Sequence, residues 1–287
     1  MNNKKNHRPW IHHYPKGVPE KINPDKYKNL IELFEDSFKK HKLLTAYKCM
    51  NRELTFEDWN NKSKKVAAYI QNFKFAPSAK VAVMMPNLLQ NPISIAAVIR
   101  AGFVVVNVNP LYTARELNYQ LIDSEAEAII ILDNFSAVLQ QAIGGTKIKH
   151  VITTSVGDSL GAKGVFIDLF LRHVKKTVKK DKLHECNVYV HKFKKILKYE
   201  SKIYFFPKDI QPDSSACIQY TGGTTGISKG AVLSHRNLVA NCLQAEAWYR
   251  PALKDMNFNS LTESFKRNDQ PVTCLLYTSD AADDVRG

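Results

Sequence analysis

Long apolar runs are missing from this sequence. Nothing in its 287 residues approaches the eighteen or so consecutive apolar residues that a membrane-spanning helix needs, so no span is expected. Met1–Pro24 carries Lys, His and Asn but no apolar core of the kind a secretory signal requires. Cysteine is scarce and unpaired. The five (Cys49, Cys186, Cys217, Cys242, Cys274) are odd in number, with no C-x-x-C pair and no zinc spacing. They read as reduced thiols of a cytoplasmic protein. Acidic charge is also short: 27 Asp and Glu face 41 Lys and Arg, a net charge of +14. The surplus is local, because eleven Lys/Arg against three acids (Asp181, Glu185, Glu200) fall between Arg172 and Lys202. One basic surface is implied. No nucleic-acid-binding motif accompanies it, so nucleic acid is not an expected partner.

What is present reads as a globular chain, 44% hydrophobic and 24% charged, long enough to bury a substantial core. Four prolines (Pro9, Pro15, Pro19, Pro24) keep residues 1–27 from forming a long helix, and that stretch reads as an extended arm. Leu30, Phe34 and Phe38 then recur at helical spacing through about Lys42. Thr55 is placed to cap a helix whose third position is Asp58 and whose apolar side is Val66, Ala67, Ile70 and Phe73.

A regular alternation follows. Lys80–Met85 predicts a strand; Asn91 is read as the cap of a helix with Pro92 at its first position and Gly102 closing it. Phe103–Val108 predicts a second strand, and Thr113-x-x-Glu116 a capping box opening the next helix. Ala128–Leu132 is a third strand, Ser136–Ile143 a helix and His150–Thr153 a fourth strand. Strands apolar on both faces, separated by capped helices, specify an α/β fold with a doubly wound, largely parallel sheet covered by helices. Such sheets bind ligands at the carboxyl ends of their strands.

The most informative stretch is Tyr220-Thr221-Gly222-Gly223-Thr224-Thr225-Gly226-Ile227-Ser228-Lys229-Gly230, between the apolar runs Ala216–Gln219 and Ala231–Ser234, both read as strands. Glycine lets backbone come close to a ligand, consecutive N–H groups make an anion nest, and Lys229 adds a full positive charge. Phosphate is the natural guest. The Walker spacing Gly-x-x-x-x-Gly-Lys-Ser/Thr does not fit, nor does Gly-x-Gly-x-x-Gly. The plain alternative is a Gly/Thr-rich hairpin loop with a solvated lysine. His235 and Arg236, just beyond, have two readings, as ligand contacts or as capping and packing residues of a final helix bearing Leu238, Leu243 and Ala247.

The eleven-residue string resembles the phosphate-binding signature of the adenylate-forming enzymes, the superfamily of acyl-CoA synthetases, luciferase-like enzymes and peptide-synthetase adenylation domains. Gly222-Gly223 and Ala231-Val232-Leu233-Ser234-His235-Arg236-Asn237 are most similar to the bacterial long-chain fatty acyl-CoA synthetases. Leu54-Thr55-Phe56-x-x-Trp59 resembles the first core motif of the superfamily and Arg100–Pro110 the second; ordinary capping and packing account for both. Val18–Pro24 and Met84–Gln90 also resemble the long-chain group. The resemblance covers about residues 10 to 275 and implies an incomplete N-terminal adenylation domain over 28–275.

It implies activation of a long-chain fatty acid with ATP and Mg²⁺ to an acyl-adenylate, release of pyrophosphate, and thioesterification with coenzyme A. Tyr220, Thr221, Gly222, Gly223, Thr224, Thr225, Gly226, Lys229 and Gly230 would then be the nucleotide-binding residues. The family's Mg²⁺ and ribose motifs, hinge and catalytic lysine have no counterpart, so no catalytic or metal-binding residue is assigned and the segment alone is expected to be inactive. The second reading is a non-catalytic nucleotide- or lipid-binding module. Residues 276–287 depart from the family pattern and have two readings, a non-native tail or a genuine disordered one, with the C-terminal small domain expected to be absent.

Within the basic segment 160–202, Phe166, Phe170, Val174 and Val178 share one helix face and Lys175, Lys176, Lys179 and Lys180 the other. Two readings stand: a peripheral contact of 160–180 with an anionic membrane, on the cytoplasmic face of the inner membrane, or a helix packed on its domain with solvated lysines.

Overall fold

The structure is a computed structural model and describes residues 8–161, 164, 166, 168–169, 183–198, 209–221 and 228–254. Its frame is a seven-stranded sheet built from β3 (Lys80–Met84), β4 (Val104–Asn107), β5 (Ala128–Leu132), β6 (His150–Thr154), β7 (Tyr189–Lys192), β8 (Ser215–Thr221) and β9 (Lys229–Ser234), in the order β7-β6-β5-β3-β4-β8-β9. All neighbours run parallel except β8 and β9, which form an antiparallel pair at one edge. A separate hairpin joins β1 (Thr45–Cys49) to β2 (Arg52–Thr55).

Strand residues alternate between two apolar clusters, one on each face. Val81, Val83, Val105, Ile130 and Ile152 point to one side, where α1 (Leu30–Lys40), α2 (Phe56–Gln71), α3 (Gln90–Arg100), α6 (Phe193–Lys198) and α7 (His235–Lys254) pack. Ala82, Met84, Val104, Val106, Ile129 and Ile131 point to the other, against α4 (Ala114–Ser124) and α5 (Ser136–Ala142). Burial of both faces is what the continuous apolar strands demanded.

The helices begin where their caps are. Asn29 accepts the Glu32 N–H at 3.1 Å to start α1, which buries Leu30, Ile31, Phe34 and Phe38. Thr55 accepts the Asp58 N–H at 3.1 Å to start α2. Thr113 and Glu116 form the expected reciprocal box on α4. These pairings satisfy N–H groups that have no partner inside the helix.

One capping assignment is corrected. α3 starts at Gln90, its N-cap is Leu89 without a side-chain cap, and Asn91 lies inside the helix. The Asn91 amide instead donates to the Met85 carbonyl at 3.3 Å, tying the helix to the end of β3. Gly102, at φ +84°, does close the helix. The helix proposed over Phe166–Val178 lies outside the described residues apart from Phe166, Asp168 and Leu169, of which Phe166 and Leu169 are exposed; the stretch 255–287 lies outside them as well. β9 also differs from a buried strand: it is the sheet edge, and Val232 is 60% exposed. Among the described residues no helix is long and apolar enough to cross a membrane.

Candidate functional site

The strand order creates a crevice. β3 is followed by α3 on one face and β4 by α4 on the other, so the two loops part at the carboxyl ends of adjacent strands. Open α/β sheets bind their ligands at such a reversal. β8 lies directly beside β4, and their last paired residues are Asn107 and Gln219. Tyr220 and Thr221 therefore run on past the end of β4, and β9 returns antiparallel beside them from Lys229.

The hairpin register pairs Tyr220 with Gly230 and Thr221 with Lys229. The Ser228 hydroxyl donates to the Thr221 carbonyl at 2.7 Å, and the Thr221 hydroxyl donates to the Lys229 carbonyl at 3.5 Å. Alternation along the strands puts Thr221 and Lys229 on one face of the ribbon and Tyr220 with Gly230 on the other. Thr221 and Lys229 are both exposed. Gly222, Gly223, Thr224, Thr225 and Gly226 lie outside the described residues, so the structure places the two stems of the expected nucleotide loop.

Tyr220 is differently placed from its neighbours. Its ring is buried in the α4-side cluster, and its hydroxyl donates to Asp123 Oδ2 at 2.5 Å. Burial first, and the Asp123 carboxylate second, push the phenol above its ordinary value, so it remains a donor. A Cβ on Gly230 would lie 2.8 Å from Ile218 Cγ2 and 3.0 Å from Tyr220 Cζ. Only a residue without a side chain lets β9 lie this close. Beneath them, Asn107 Nδ2 donates to Gln219 Oε1 at 3.1 Å, and Gln120 Nε2 of α4 donates to the Asn107 carbonyl at 2.8 Å. Sequence reasoning missed this support, since Asp123 and Gln120 carry no motif of their own.

His235 and Arg236 are structural. His235 is buried and accepts the Leu30 N–H, while Arg236 forms an ion pair with Asp25 at 2.8 Å. The Cys217 thiol, within β8, is pushed up to about 12 by burial. Among the described residues no group of three or more His, Cys, Asp or Glu converges as a metal site. A second cleft, of about 560 Å³, opens at the carboxyl ends of β5–β7, where Lys192, Lys194, Lys195 and Lys198 face Asp133 and Asp158.

A largely parallel sheet covered by helices on both faces, with one antiparallel hairpin running past the end of β4, defines an α/β protein of the doubly wound class. The chain belongs to the AMP-binding enzyme family, whose model matches residues 34–266. It is 41% identical over 246 residues to the long-chain-fatty-acid–CoA ligase of Salmonella typhi, covering 85% of this chain and 43% of that protein. The Haemophilus influenzae ligase of the same name is 40% identical over 248 residues, with 86% and 43% covered. The chain thus spans less than half the length of these relatives. In fold it is similar to a long-chain-fatty-acid–CoA ligase from Archaeoglobus fulgidus, with TM-score 0.61, 23% identity, and 82% and 42% covered. An anthranilate CoA ligase in complex with anthranoyl-AMP gives TM-score 0.60 at 16% identity, with 75% and 37% covered.

Proposed function

We propose that this chain supplies the phosphate-holding part of a ligase that activates a long-chain fatty acid with ATP and passes the acyl group to coenzyme A. One observation carries the reading: Thr221 and Lys229 face each other across the stems of the Gly/Thr-rich loop, at the carboxyl end of β8 beside β4. In the first step a carboxylate oxygen attacks the α-phosphorus in line and the bond to pyrophosphate breaks. In the second the coenzyme A thiolate displaces AMP from the acyl carbon. The chemistry asks the protein chiefly to position phosphates and to neutralise charge on the leaving group.

Lys229 takes the charge-neutralising role. The backbone N–H groups and hydroxyls of Thr221, Gly222, Gly223, Thr224, Thr225 and Gly226 cradle the β- and γ-phosphates. Tyr220 and Gly230 serve the same loop from beneath, through backbone placement. Magnesium enters with ATP as the counter-ion of its phosphates, and coenzyme A as the second co-substrate. The basic stretch 160–180 is the part of the chain suited to rest on an anionic membrane, where an apolar substrate is collected. Loss of co-sedimentation with anionic vesicles on Lys→Glu at 175, 176, 179 and 180 is expected, and unchanged sedimentation would remove the membrane contact.

Calorimetric titration of the chain with magnesium-ATP tests the central claim. Saturable binding that weakens at least about tenfold in Lys229→Ala is expected, the scale of one charge-assisted phosphate contact. Equal affinity in the two proteins would remove Lys229 from the site.

A further inference from the structure

We infer that Asp123 is a positioning residue for the nucleotide loop: through its bond to the Tyr220 hydroxyl it fixes the height and register of the hairpin that presents Thr221 and Lys229. The inference rests on the phosphate reading above and extends it to a residue 97 positions away in sequence. Three observations converge on it.

The first is where Asp123 sits. It occupies the last turn of α4, which ends at Ser124 with Glu125 in the left-handed conformation at φ +54°. An acid there faces the negative end of the helix dipole, an unfavourable place for it. α4 gains nothing locally from this carboxylate. Instead it accepts the Tyr220 hydroxyl at 2.5 Å.

The second is what the tyrosine holds. Tyr220 is 8% exposed, lies opposite Gly230, and its ring is the surface against which the bare Gly230 backbone rests. A swing of that ring about its Cα–Cβ bond would open the space over Gly230 and release β9, which among the described residues pairs with β8 alone. Asp123 resists that swing at the far end of the ring, because moving the phenol oxygen breaks its 2.5 Å bond to Oδ2.

The third is that α4 grips the same strand pair twice. Gln120, one turn earlier, donates to the Asn107 carbonyl, and Asn107 in turn holds Gln219. Helix α4 therefore contacts β8 at successive residues, Gln219 through Asn107 and Tyr220 through Asp123. The next residue is Thr221, where the loop begins. A preorganised loop loses less freedom when phosphate binds, and that is how a residue remote from the ligand affects affinity.

Amide exchange and pyrophosphate binding, measured on the whole 287-residue chain, test the inference together. In Asp123→Ala and in Tyr220→Phe, exchange at 215–221 and 229–234 is expected to accelerate about fivefold, the worth of one such hydrogen bond, with α3 unchanged. Asp123→Asn, which keeps an acceptor oxygen, is expected to restore protection. The double variant should be no worse than either single one, because both remove the same bond. Magnesium pyrophosphate should bind about fivefold more weakly to Asp123→Ala than to the parent and recover in Asp123→Asn.

Hairpin exchange that matches the parent, acceleration spread equally over α3, or pyrophosphate affinity indifferent to Asp123→Ala would each overturn the positioning role. A parent chain that binds no pyrophosphate would instead overturn the phosphate reading, while the exchange data still decide whether Asp123 holds the hairpin.

Discussion

His235, the first residue of α7, accepts the backbone N–H of Leu30, the first residue of α1, on its Nδ1 at 3.3 Å. The two helices begin 205 residues apart, and this bond satisfies a donor that α1 cannot satisfy internally. Around it Asn29 donates to the Ile210 carbonyl at 2.8 Å, Lys28 meets Asp209 at 2.6 Å and Arg236 meets Asp25 at 2.8 Å. The start of the first helix is thus stitched to the segment entering β8 and to the helix leaving β9. The β8–β9 hairpin is framed by this closure.

Because Nδ1 accepts, the bond exists only while the imidazole is neutral. Burial lowers the His235 value from 6.5 to about 4. The unfolded chain therefore binds this proton below about pH 6.5 while the folded chain does not until about pH 4, so stability falls as pH falls through that window. His150 is also lowered to about 4, chiefly by burial and then by His191 and Lys149; its Nδ1 lies 3.1 Å from His191 Nε2, a bond that needs one neutral ring. Both act in the same direction. Urea denaturation between pH 7 and pH 4 is expected to show a declining midpoint. In His235→Asn, whose side-chain oxygen can still accept from Leu30, the decline should be shallower by roughly 1–2 kcal/mol over the window. An identical slope in the variant would show that His235 does not titrate with folding.

Gly230→Ala tests the close approach of β9. The new methyl would meet Ile218 Cγ2 and Tyr220 Cζ inside normal contact distance, and neither lies at the free end of a flexible chain. A loss of about 1–3 kcal/mol is expected, the usual cost of overpacking. Opening the hairpin should accompany it, read as faster amide exchange at 229–234. A variant as stable as the parent would mean that β9 can slide outward without cost.

Much of this architecture is legible in the sequence because local signals and burial agree. Leu30, Phe34 and Phe38 fall on the buried side of α1, Thr55 and Thr113 cap where the pattern requires, and the unbroken apolar strands are covered on both faces. The β1–β2 hairpin escapes such a reading. Its turn places Met50 and Asn51 at φ +48° and +58°, positions for which glycine is the usual signal. β7 escapes it as well, since Tyr189–Lys192 is a half-exposed edge strand with little apolar pattern. At the proposed site, the expectation of an anion loop rests on the type and spacing of the glycines, threonines and Lys229. The contact between Asp123 and Tyr220 is created only when α4 packs against β8, and no local periodicity encodes it.

The guanidinium of Arg100 offers the sharpest test of how a motif that resembles a functional signature can be structural. Arg100 opens the second motif-like stretch, yet it is fully buried at the end of α3, far from carrying chemistry. It donates to Glu35 Oε1 at 2.5 Å, to the Asn60 carbonyl at 2.9 Å, to Asn60 Oδ1 at 2.7 Å and to Ser63 Oγ at 2.8 Å, and lies 4.7 Å over the Phe38 ring. One side chain thereby joins α1, α2 and α3. Burial pulls its value down and Glu35 opposes that shift. Removing either partner is unequal, because Glu35 is 43% exposed and Arg100 is not exposed at all. Glu35→Ala strands a buried cation and should cost roughly 1–3 kcal/mol. Arg100→Met leaves the Asn60 and Ser63 acceptors without their donor and should cost roughly 2–4 kcal/mol. Adding Glu35→Ala to Arg100→Met should then cost almost nothing further, since a lone Glu35 can turn to water. Denaturant midpoints of the four proteins give the cycle directly, and additive losses would show that Glu35 stabilises the fold by some contact other than Arg100.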